Sequence, residues 1–168
     1  MSGPSSLTGS DEEEQTNYHT PDETGLTKSQ KVALTAAWSI VKKDLVTHGR
    51  NIFVIFFEEY PQYLDYFDFS SGGTGDLAEN RSLHAHALNV MNFIGTLIDY
   101  GLNDPNLLKC SLVKLARNHR RRNVTKSDVG AVGGVIMRYC LKALEQHRTK
   151  TLEEAFGAFL GTVAAAFE

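Results

Sequence analysis

The chain has 168 residues, 42% of them hydrophobic and 22% charged, and a formal net charge of −3. That length favours one domain with a sizeable core, and the composition excludes wholesale disorder. Six acids (Asp11, Glu12, Glu13, Glu14, Asp22 and Glu23) precede Lys28, the first basic residue, and the mild positive excess that remains is too small for a nucleic-acid footprint.

Residues 1–26 are rich in Ser, Thr, Gly, Glu and Asp. They read as a disordered acidic extension, because they hold too few large apolar groups to offset chain entropy. A folded domain is expected over residues 27–168. Thr27-Lys-Ser-Gln30 has the capping-box form, and Val32, Leu34, Ala37, Trp38 and Val41 follow at helical spacing to about Lys43. A second helix, from about His48 to Tyr60, carries Ile52, Phe53, Ile55, Phe56 and Phe57, too crowded for a surface helix. Pro61 opens a short turn that reaches Phe67, and Ser70 to Gly75 marks a flexible corner.

A long helix is expected from about Asp76 to Tyr100, with Leu83, His86, Val90, Phe93, Ile94 and Leu97 on one face. His84 lies two residues from His86 and so points about 200° away. Asp104-Pro105 opens the next helix, whose stripe of Leu108, Leu112 and Leu115 ends in His119. Thr125-Lys-Ser-Asp128 caps a helix bearing Val129, Val132, Ile136, Tyr139 and Cys140. Thr151-Leu-Glu-Glu154 is a further capping box, before Phe156, Phe159, Leu160, Val163 and Phe167. Strand-like alternation is absent, so the fold class is all-α, about seven helices, connected too irregularly for a simple four-helix bundle. No apolar run approaches the roughly 20 residues of a membrane span, and no secretory signal opens the chain. Cys110 and Cys140 lack CxxC spacing, which fits unpaired thiols in the cytoplasm.

The two histidines on apolar stripes carry the chemistry. A lone histidine there is more often a satisfied core or helix-end residue than a ligand. Two of them on separate helices ask what lies between. Zinc would want three or four clustered Cys, His or carboxylate ligands, and no such spacing occurs. Haem needs only one or two axial nitrogens in a dry, mostly apolar slot. Phe53, Phe67, Val90, Leu115, Val124, Val129 and Val132 can supply that slot, although each alone reads equally well as ordinary core.

Taken together, these motifs over about Leu26 to Phe167 resemble a globin. Trp38 stands where the family's first helix carries tryptophan. Phe57-Glu-Glu-Tyr-Pro61, with Phe67 six residues on, resembles the passage through the short C helix into the CD corner. Leu83-His-Ala-His86-Ala-Leu-Asn-Val90 resembles the distal helix, and Leu115-Ala-Arg-Asn-His119 the proximal one. Val124, five residues after His119, and Phe53 in the second helix are closer to neuroglobin-like and invertebrate intracellular globins. Asn89 departs from the family, standing where a basic residue often meets a haem propionate. Phe156 departs too, where tryptophan is common.

The resemblance implies a globin fold of about seven to eight helices around a pocket for haem b (iron protoporphyrin IX). It implies His119 as the proximal iron ligand and His86 as the distal residue, bound either to iron or to the gas. The implied function is reversible binding of oxygen or another diatomic gas, with iron held by both histidines in the unliganded state. Electron transfer or redox signalling is the alternative. Nitric oxide dioxygenation or weak peroxidase action would need an external reductase or other redox partner.

Overall fold

The computed structural model describes residues 18–69 and 75–168. Among them there are six α-helices and no strand. Six 3-10 segments lie between or beside them, so the expected seven to eight helices fall between the α-helices alone and all helical segments together. The flexible corner expected at Ser70–Gly75 lies outside the described residues except for Gly75, and residues 1–17 of the acidic extension lie outside them too.

Helix α1 (Lys28–Val41) opens with the expected capping box: Thr27 Oγ1 accepts from the Gln30 amide at 3.2 Å, and Gln30 Oε1 accepts from the Thr27 amide at 2.9 Å. It buries Leu34, Ala37, Trp38 and Val41. A 3-10 turn (Lys42–Asp44) follows, and the Asp44 carboxylate caps α2 (Leu45–Glu59) by accepting from the Thr47 amide at 3.1 Å. That cap starts α2 three residues before the expected His48. Tyr60, restricted by the proline after it, leaves the helical region, and Pro61–Tyr66 winds as a 3-10 segment.

Helix α3 (Arg81–Asp99) begins later than the expected Asp76. Asp76 caps only a 3-10 turn (Leu77–Glu79), and Asn80 then adopts an extended conformation. Asn80 Oδ1 accepts from the Leu83 amide at 3.1 Å while its Nδ2 donates to the Phe69 carbonyl at 2.9 Å, which ties the helix start to the preceding segment. Helix α4 (Pro105–His119) has Asp104 at its cap, as expected. After a 3-10 turn at Arg120–Arg122, Asn123 takes the left-handed conformation (φ 54°), and Thr125 and Asp128 form the capping box of α5 (Lys126–Ala143).

Helix α6 (Lys150–Ala165) corrects the sequence reading. Its cap is Thr149, whose hydroxyl accepts from the Leu152 amide at 3.1 Å, and Thr151 already lies within the first turn. Both threonines precede an apolar run, and only the extended backbone at Thr149 (φ −134°, ψ 158°) selects between them.

The main packing contacts run between α2 and α3, α5 and α6, and α1 and α6. Gly49 permits the first: a Cβ there would stand 3.0 Å from Met91 Cγ and 3.2 Å from the Ala87 carbonyl oxygen. Trp38, Phe57, Phe156 and Phe159 are the largest fully buried side chains. Ordered packing also reaches back before Thr27. Leu26 and Thr24 are buried, Lys31 reaches both the Asp22 carboxylate and the Leu102 carbonyl, and Thr162 Oγ1 donates to the Thr24 carbonyl. Leu26 is one of the apolar groups that the acidic composition around it conceals.

Candidate functional site

A cavity of about 360 Å³ opens among α2, α3, α4, α5, α6 and the Pro61–Tyr66 segment. Its size is within the ordinary range for small-molecule sites. The structure brings every expected pocket residue to it: Phe53, Phe67, His86, Val90, Leu115, His119, Val124, Val129 and Val132 all line its wall.

His119 ends α4 with its ring orientation fixed. Nδ1 lies 2.9 Å from the Leu115 carbonyl oxygen. A carbonyl can only accept, so Nδ1 carries a proton and Nε2 is the nitrogen left for another partner. The imidazole also meets the Phe167 ring at 5.7 Å, nearly edge-on.

His86 is different. Its ring is enclosed by Phe67 at 4.7 Å and Phe53 at 5.1 Å, both T-shaped. Burial pushes its pKa down to about 4, helped by electrostatic interaction with His119 and Arg122. It is therefore neutral at pH 7. Its neighbours on the described residues are apolar rings, so a lone pair stands in the cavity without a protein partner. His84, as its spacing predicts, turns away and donates from Nε2 to the Ala78 carbonyl at 2.8 Å.

These residues fit haem. Two imidazoles line one apolar cavity, and no group of three or more His, Cys, Asp or Glu among the described residues could hold a bare metal ion. Arg122 and Asn89 are the exposed polar residues of the lining, suited to propionates at the rim. Asn89 occupies the position where the family usually has a base, and Arg122 supplies a cation from across the cavity.

Several lining residues escaped the sequence reading. Phe56, Ile136, Leu160 and Val163 stood on apolar stripes with nothing to separate cavity wall from solid core. Tyr63 and Asp128 gave no signal as a pair, being 65 residues apart. The Tyr63 hydroxyl donates to Asp128 Oδ1 at 2.8 Å, and its ring stacks on Phe56 at 5.1 Å. Burial and that bond push the Tyr63 phenol up to about 12. Burial would raise the Asp128 carboxyl, but bonds from Thr125 and Tyr63 hold it below its ordinary value.

Among the described residues, helices alone build the fold and bring two histidines to the lining of one apolar cavity, an arrangement suited to haem. Comparison with known proteins narrows the class. The family model described as Globin matches residues 50–167. Hemoglobin-3 of Phacoides pectinatus is 30% identical over 150 residues, covering 85% of this chain and 95% of its own. A globin of Tritia mutabilis is 27% identical over 143 residues (83% and 97%), and neuroglobin of Tetraodon nigroviridis 26% over 142 (83% and 89%). The chain belongs to the globin family. It is thus a haem-binding, gas-binding globin, and no helix among its described residues is long and apolar enough to cross a membrane.

Proposed function

We propose that the protein reversibly binds oxygen or another diatomic gas at haem b, with His119 as proximal ligand and His86 as the second axial ligand when no gas is present. The observation that carries this reading is the state of His86: neutral, packed against Phe53 and Phe67, and lining, without a hydrogen-bond partner among the described residues, the cavity that His119 also lines. When bound, haem supplies the iron on which gas exchange depends. The Leu115 carbonyl holds His119 in the tautomer that presents Nε2 and raises the basicity of the ring. Phe53, Val90, Val129 and Val132 exclude water from the slot, which protects the ferrous state. Because His86 must leave before a gas enters, apparent affinity falls with the fraction of open pocket.

A second reading, one-electron exchange with a redox partner, is favoured by the exposed Arg120–Arg122 turn immediately after His119. Cys110 and Cys140 are unpaired, which supports a cytoplasmic setting.

Gas-binding kinetics test the roles separately. His119→Ala is expected to lose most haem affinity. His86→Ala should retain haem and bind carbon monoxide faster than the parent. Equal rates and identical spectra for the parent and His86→Ala would sink the distal assignment.

A further inference from the structure

We propose that Phe167 is a positioning residue for the proximal imidazole, and that a clamp between α5 and α6 holds it in place; the inference rests on the assignment of His119 as iron ligand. An imidazole bonded through Nε2 can still rotate about its bond to Cβ, and that rotation sets how it meets a metal. One edge of the His119 ring is fixed by the Leu115 carbonyl. The Phe167 ring packs against the same imidazole, with its centroid 5.7 Å away and its plane turned by 67°. Edge-to-face geometry of this kind is favourable for aromatic pairs.

Phe167 reaches that position because of how α6 ends. Leu160, Val163 and Phe167 form one stripe at i, i+3 and i+7, and all three line the cavity. Beyond Ala165 the helix finishes in a turn, in which the Phe167 amide donates to the Ala164 carbonyl at 3.0 Å. The next residue, Glu168, pairs with Lys126, the first residue of α5. That ion pair is exposed on both sides, so it guides the turn and contributes little stability of its own. Phe167 is therefore seated from two directions, by the apolar stripe beneath it and by the pairing beside it.

The test uses the His86→Leu variant, in which the ferrous iron keeps His119 as its only protein ligand and the iron–histidine stretch can be read by resonance Raman. Adding Phe167→Ala should shift and broaden that band, because the imidazole samples more orientations. It should also raise the rate of haemin transfer to apomyoglobin about two- to tenfold, the worth of one aromatic pair. Phe167→Leu keeps apolar bulk, guards against loss of the fold, and should broaden the band too. Phe167→Tyr should restore the parent band, and Glu168→Gln should move it slightly in the alanine direction. A band unchanged in position and width in both Phe167→Ala and Phe167→Leu overturns the proposal. No iron–histidine band in His86→Leu itself would instead show that His119 is not the ligand, and both readings would fall.

Discussion

The half-buried His86 and the buried Trp38 both carry ring nitrogens, and the two have opposite meanings. The Trp38 indole is wholly buried, and its Nε1 finds no hydrogen-bond partner among the described residues. A Cβ on Gly95 would lie only 2.9 Å from that nitrogen. Gly95→Ala must therefore displace a fully packed indole and should cost about 1–3 kcal/mol. Urea unfolding followed by the fluorescence of Trp38, the single tryptophan, measures it. The His86 imidazole, in contrast, faces open space. Its pKa falls from 6.5 to about 4 in the fold. The unfolded chain thus takes up a proton first as pH drops. In the apoprotein, stability should fall between about pH 6.5 and pH 4, by up to about 3 kcal/mol. Asp22, Asp44 and Asp128 are all held below the ordinary carboxylate range, so their losses come at lower pH. His86→Leu should flatten the slope in the upper window alone. A slope that persists in that variant assigns the effect to another group.

At the scale of elements, the Pro61–Tyr66 segment closes the rim. Tyr63 joins it to the start of α5, while Phe67, just beyond, packs on His86. Tyr63→Phe keeps the stack on Phe56 and removes one hydrogen bond to a carboxylate, a loss of about 1.5 kcal/mol. Haemin loss should then accelerate roughly tenfold. Most elements were legible because their caps are local chemistry. Thr27-Gln30, Asp104-Pro105 and Thr125-Asp128 each announce a helix within four residues. The misread starts have local causes that periodicity does not record. Asn80 spends its side chain on both α3 and the Phe69 carbonyl, and Thr149 competes with Thr151 for the same apolar run. The two histidines were legible because imidazole is conspicuous on an aliphatic stripe. Phe167 was not, since a phenylalanine on such a stripe looks the same whether it fills core or touches a ligand.

On the scale of the whole molecule, the six helices form one core that leaves an apolar gap where α2, α3, α4, α5 and α6 converge. Composition could not locate that gap, because the same valines and phenylalanines pack the core and line the cavity. It also hid how early the packed chain begins, with Leu26 fully buried just after Asp22 and Glu23. Whether His86 holds the iron together with His119 is open to direct measurement. After reconstitution with haemin and reduction under nitrogen, the visible spectrum decides it. Sharp, split α and β bands are predicted, the signature of iron held by both His119 and His86. A single broad band, unchanged in His86→Ala, would show that His86 does not bind the iron.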